Sequence, residues 1–197
     1  MHSLLIEPSI VVFLKSRCAP LRNYYRLYYN LISLVTLIPL VILSRIAGGE
    51  VVLLWDGWGN VFRLFLLFCT FALFYGGAQR YDLLSFLGVS QMRTGEEQLL
   101  LSEDVHFYDT GVFGMTRHPW YLGSLCLIWS ALPAYPAKSF AVASILSIYL
   151  IVGTMLEERK IMSLYGDLYG EYRAKVSMLF PWKWLVRKIF AHFPGFR

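Results

Sequence analysis

The length of its apolar runs limits this chain more than any other feature. Crossing a bilayer takes about 20 residues, or ~30 Å at ~1.5 Å per residue. Four stretches reach or approach that length: 25–46 (YRLYYNLISLVTLIPLVILSRI), 60–79 (NVFRLFLLFCTFALFYGGAQ), 119–136 (PWYLGSLCLIWSALPAYP) and 139–158 (SFAVASILSIYLIVGTMLEE). Composition agrees, with 57% hydrophobic and 16% charged residues, where a soluble domain carries about 25% charge. The expectation is an all-α polytopic membrane helix bundle with about four transmembrane helices in one domain, 1–197. The last two runs are separated by little more than Ala137 and Lys138, so they form an antiparallel hairpin. The opening MHSLLIEPSIVVFLKSRCAP has an apolar stretch of only about ten residues after Pro8, too short to span. It reads as an interfacial or re-entrant segment, and it lacks the basic start and cleavage pattern of a signal peptide.

Orientation follows from lysine and arginine. Fifteen of the eighteen fall on one side of the four spans, and the exceptions are Arg45, Arg63 and Lys138. Positive charge collects at the cytoplasmic face, so both termini and the loop from 80 to 117 are expected there, in an inner or cytoplasmic membrane. The net charge of +5 is then membrane-orienting. No basic run is interleaved with stacking aromatics in a polar segment, which excludes nucleic acid as the partner. Cys18, Cys69 and Cys126 are odd in number and far apart, so they suggest no disulfide framework and no metal site.

This topology brings MTRHPWYLG, residues 115–123, and LEERK, residues 156–160, to one membrane level on adjacent helices. Arg117, His118, Glu157 and Glu158 would meet there, and ionisable groups clustered at a membrane border suggest a site. Each has a simpler reading: His118 capping a helix that begins at Pro119, Arg117 reaching for headgroups, and the acidic pair at a solvated helix end. Downstream, Tyr165, Tyr169 and Tyr172 fall at i, i+4 and i+7 on one helical face, as in an interfacial amphipathic helix. Gly166 and Gly170 allow a kink that would fold this aromatic helix back beneath the hairpin.

RHPWYLG at 117–123, a hairpin, EERKIMSLYGDLYGEYRAKV at 157–176 and Pro181 together resemble the integral-membrane methyltransferases, which include isoprenylcysteine carboxyl and phospholipid N-methyltransferases. HSLLIEPSIVVFLKSR, YRLYYNLISLV and YDLLSFLGVSQ further resemble a bacterial branch, the methanethiol S-methyltransferases. Two departures stand out: that branch usually has a further hydrophobic helix upstream of the HSLL region, and Ser177 occupies a position where the family often has proline.

The resemblance implies S-adenosylmethionine bound on the cytoplasmic side, with residues 1–80 as N-terminal helices, 81–116 a cytoplasmic loop, 117–182 the cofactor-binding hairpin and following helix, and 183–197 a basic tail. Glu157 and Glu158 would take the ammonium or the ribose hydroxyls, and backbone N–H groups from His118 to Gly123, including Leu122, would take the carboxylate. Gly123 would let the cofactor approach closely. Tyr121, Tyr165, Tyr169 and Tyr172 would flank adenine or the sulfonium, beside His118 and Pro119. Arg117 is assigned to the acceptor side, so Arg117→Ala should spare binding and impair transfer, whereas Glu158→Ala should abolish binding. His106 is a candidate base. Arg63 and Asp82 could shape an acceptor pocket or serve as snorkelling and loop charges. The expected acceptor is a small or lipophilic thiol, with isoprenylcysteine carboxylate or a lipid amine as alternatives, in contact with membrane lipids and without metal or nucleic acid. A non-catalytic membrane scaffold or small-molecule binder on the same fold is the competing class, and a sterol-reductase-like activity fits less well.

Overall fold

A computed structural model describes residues 49–79 and 110–192, together with isolated helical positions between 28 and 42. The expected first span, the N-terminal segment, Asp82, His106 and most of the 81–116 loop lie outside the continuously described residues. The chain divides into two compact units, Met1–Ile46 with Tyr81–Val105, and Ala47–Arg80 with His106–Arg197. The isolated helical positions belong to the first unit, and the second holds all of the continuously described residues.

The elements of the second unit in chain order are strand β1 (Val51–Leu54), helix α1 (Gly57–Ala78), a short 3-10 turn (Gly111–Gly114), α2 (Pro119–Ser130), β2 (Ala134–Pro136), α3 (Ala137–Lys175) and α4 (Trp182–His192). Among the described residues α1 and α3 are long and apolar enough to cross a membrane. Only 17% of the apolar window of each is buried, which sets them apart from the core helices of a soluble protein. Their outward faces carry Phe65, Phe68 and Phe71 on α1 and Ile145, Ile148 and Met155 on α3, all exposed. A surface of that kind needs an apolar surrounding.

The 119–136 run does not form one continuous span. Helix α2 has 12 residues, about 18 Å, and the chain leaves it before Pro133. Residues 134–136 then pair antiparallel with β1, with an irregularity between Val51 and Leu53. This small sheet departs from a purely helical reading, and its cause is local. Pro133 and Pro136 forbid a continuing helix, while the Val-Val-Leu-Leu of β1 favours an extended chain. Trp55 N–H to Pro133 O and Ala137 N–H to Glu50 O, both 2.9 Å, close the two ends of the ladder.

Helices α1 and α2 approach closely because small residues face large ones. A Cβ on Gly77 would lie 2.6 Å from Trp120 Nε1, and one on Gly123 would lie 2.8 Å from the Phe74 ring. Helix α3 has 39 residues in two arms, and the first, 137–165, at about 43 Å, is already longer than a bilayer core of about 30 Å. The helix breaks at Gly166, where φ 50 and ψ −125 suit glycine alone. No atom would meet a Cβ there, so backbone conformation and not crowding selects the glycine. The basic stretch expected as a tail after 183 is helical as far as His192.

Candidate functional site

The site end begins with the segment before α2. Thr116 bridges Ser177 in parallel, Arg117 N–H donates to Ser177 O at 2.9 Å, and His118 N–H donates to Met178 O at 3.3 Å. The Thr116 hydroxyl adds a bond to Met178 O at 2.9 Å. His118 is the N-cap and Pro119, almost wholly buried, is the first helical residue, a position that suits its fixed φ and missing N–H. The chain after α3 thus clamps the chain before α2, and the two side chains at 117 and 118 are directed at α3.

Glu158 receives them. Arg117 Nε donates to Oε1 at 2.9 Å and its terminal nitrogen to Oε2 at 2.5 Å. His118 Nε2 lies 2.7 Å from Oε1, and the Tyr169 hydroxyl donates to the same oxygen. With a carboxylate opposite, Nε2 is the ring nitrogen assigned the hydrogen. Arg117, His118 and Glu158 are 9%, 6% and 6% exposed. A buried carboxylate is tolerated only when its charge and lone pairs are answered, and a bidentate arginine with two further donors does this. Burial opposes the Arg117 charge, but the hydrogen bonding and charge of Glu158 outweigh it and raise its pKa above the ordinary arginine value. The other terminal nitrogen of Arg117 reaches Arg173 O at 3.3 Å and Val176 O.

Four donor sites of Arg117 are therefore taken by Glu158 and the end of α3, where the sequence suggested a group turned to the acceptor. Gly123 also differs from expectation, since the space beside it is filled by Phe74 of α1. The backbone N–H of His118 is used by Met178 and does not await a carboxylate. Tyr172 donates to Phe113 O at 2.8 Å, and Tyr169, Tyr172 and Val176 form a buried cluster on which Tyr165 packs. Their hydroxyl and ring contacts close the fold beneath the hairpin. Tyr121 meets the His118 ring edge-on at 5.6 Å, and Leu122 is partly buried beside it.

Glu157 is the exception. Its Oε2 is buried with no hydrogen-bond partner, 3.8 Å from His118 Nδ1, too far for a direct bond. The Glu157 side chain as a whole is 41% exposed, so this carboxylate borders solvent and, unlike that of Glu158, is not enclosed by donors of the chain.

Reading the sequence missed the 176–178 clamp and Arg173, whose Nε lies 3.9 Å from Glu158 Oε2. Backbone bridging leaves no spacing signal. Ser177 was visible as a departure, and the structure gives it a use: its hydroxyl accepts the Lys183 N–H at 3.0 Å, which a proline could not do. Arg63 is not at this site. It binds Asn60 and Ser130 O at the far end of the helix pair.

Residues 19–176 match a family described as a protein of unknown function (DUF1295). The chain is 42% identical over 72 residues to methanethiol S-methyltransferase 1 of Bradyrhizobium diazoefficiens, covering 36% of this chain and 25% of that one. It is 30% identical over 129 residues to methanethiol S-methyltransferase of Pseudomonas deceptionensis, covering 66% and 44%. Against the Mycobacterium tuberculosis methanethiol S-methyltransferase it is 32% identical over 130 residues, covering 66% and 47%. The chain thus spans less than half the length of these curated relatives. No solved structure matches it. The family match covers most of the chain, so this protein belongs to the DUF1295 family, in the methanethiol S-methyltransferase-like branch of the membrane methyltransferase superfamily.

Proposed function

We propose that this chain carries the donor site of an S-adenosylmethionine-dependent membrane methyltransferase whose acceptor is a thiol, small or lipophilic. The observation that carries the reading is the meeting of Arg117, His118 and Glu158 from separate helices beside the partnerless Glu157 Oε2. The names of the relatives support the class of reaction.

The residues fit the cofactor's chemistry. Glu157 Oε2 would accept a hydrogen bond from its ammonium or a ribose hydroxyl, and Tyr121 beside His118 would offer an aromatic face to the cationic sulfur. Bound here, S-adenosylmethionine supplies an electrophilic methyl group on a sulfonium. Direct displacement of that methyl group by a thiolate acceptor would need no covalent nucleophile from the protein, only a base to take the thiol proton and a site to hold the donor in line. The chain's share is orientation and exclusion of water, which in well-ordered systems lower a barrier by about 7–11 kcal/mol. Arg117 and Tyr169 act here as positioning residues, holding Glu158 and through it His118. The lysine and arginine distribution supports a site facing the cytoplasm, where the donor would be dissolved, with acceptors arriving through the apolar helices. His106 remains proposed as a base for the thiol.

The test is calorimetric titration of detergent-solubilised protein with S-adenosylmethionine, followed by transfer of labelled methyl to methanethiol, prenylcysteine and lipid amines. Saturable binding and thiol turnover are expected. No binding at several hundred micromolar would overturn the reading. Binding without turnover on any acceptor would favour a non-catalytic binder, a reading for which the complete satisfaction of Glu158 also speaks.

A further inference from the structure

Helix α4 presents its apolar face away from the protein. At ~100° per residue, Trp182, Leu185, Val186, Ile189 and Phe190 occupy one arc of about 140°, and all five are exposed, Ile189 and Phe190 to 57% and 58%. Lys183 and Arg187 flank one edge of the stripe and Lys188 the other. The Lys183 and Arg187 edge is tied down. Lys183 Nζ donates to Arg173 O and Ala174 O at 2.8 and 2.9 Å, and Arg187 donates to Gly114 O at 3.1 Å. Rotating the stripe inward would break these bonds, so the outward aim is built in.

Charge identifies what meets it. From Arg173 to Arg197 there are six cations and no acidic residue, and the partners of Lys183 and Arg187 are neutral carbonyls, which leave the charge standing. A groove of about 330 Å³ between the end of α3 and α4 is lined by Lys175, Lys183 and Arg187 with Trp182, Val186 and Ala174. Depth is set by the clamp. Residues 177–178 bond to 116–118 at the start of the hairpin, so α4 starts at the level where α2 starts. At 11 residues, about 16 Å long, it cannot span.

We propose that α4 lies in the plane of the membrane surface, with its apolar stripe among acyl chains and the adjoining cationic groove on the phosphates of anionic lipids. Such helices bind through apolar area together with attraction to anionic headgroups. Because α4 follows directly from the 176–178 clamp, this contact also seats the segment that holds Arg117 and His118.

The test uses the full chain with Cys18, Cys69 and Cys126 replaced by serine and an environment-sensitive label on a single introduced cysteine, Ile189→Cys or Ala191→Cys. The proteins are reconstituted in phosphatidylcholine vesicles with or without phosphatidylglycerol, each containing brominated lipid as quencher. The label at 189 should be blue-shifted and quenched, and the label at 191, on the polar side, should remain aqueous. Adding Lys188→Glu should weaken the anionic-lipid preference at 189 by about fivefold or more, at about fivefold per charge. Equal exposure at 189 and 191 would overturn the proposal. So would protection at 189 without lipid quenching, which would mean that a second protein surface covers the stripe. Equal quenching in both vesicles would overturn the anionic part.

Discussion

The two ends of the α2–α3 pair solve the same problem in opposite ways. At the far end, polar groups meet neutral partners: Trp55 Nε1–H with Trp129 O at 3.0 Å, Trp129 Nε1–H with the Ser147 hydroxyl at 2.9 Å, and Tyr135 O–H with Ile128 O at 2.5 Å. The cation there, Arg63, bonds to an amide and a carbonyl and not to an acid. At the site end one carboxylate gathers an arginine, an imidazole and a phenol, and the neighbouring carboxylate keeps an oxygen with no partner. That neighbour, Glu157, is 41% exposed along its side chain, so this end borders solvent where the far end is closed. On the reading proposed above, the difference separates a lock from a donor site.

The largest effect should come from breaking the charged hub. Arg117→Ala strands Glu158 in a buried position, and losing one member of a buried ion pair costs about 3–5 kcal/mol. Denaturant unfolding in detergent should show that loss, with cofactor binding lost too. Retained binding would restore Arg117 to the acceptor side. Tyr169→Phe removes one of the donors to Glu158 and should cost about 1.5–3 kcal/mol, with transfer reduced more than binding, as measured by labelled-methyl turnover against calorimetry. Arg63→Met breaks only the bonds to two neutral acceptors at the lock, Asn60 Oδ1 and Ser130 O. About 1 kcal/mol of stability should go, and cofactor affinity should not move. If it did, the two ends would be coupled and the contrast between them would fail.

Much of this division was legible in the sequence because helical periodicity and span length are local signals. The 60–79 run became α1, the hairpin formed where two apolar runs nearly touch, and the kink fell at one of the two glycines that allowed it. His118 and Glu158 could be brought together from topology alone, since antiparallel helices of known rise return to the level they left. What could not be read was pairwise. Whether Arg117 would face α3 or a substrate depends on the 176–178 clamp, which is made of backbone atoms common to every residue. The β1–β2 ladder joins residues 80 or more positions apart, and Gly123 looks the same in sequence whether a ligand or Phe74 fills its open side. The stripe on α4 is present at i, i+3, i+4 and i+7, but the cations around it read equally well as a basic tail.

The smallest effect on the fold is the sharpest test of the site. Glu157 Oε2 has no hydrogen bond to lose, so Glu157→Gln should leave unfolding within about 0.5 kcal/mol of the parent. If that oxygen receives the ammonium or a ribose hydroxyl of the methyl donor, the same change replaces a charge-assisted bond of about 1.5–3 kcal/mol, a loss of about 10- to 150-fold in Kd. Unfolding curves and calorimetry on one preparation measure both. A stable variant that binds as tightly as the parent would place the donor elsewhere and leave Glu157 as a surplus without a use. A destabilised variant would mean that the carboxylate serves the fold through His118 Nδ1, and the line drawn between lock and site would have to move by one residue.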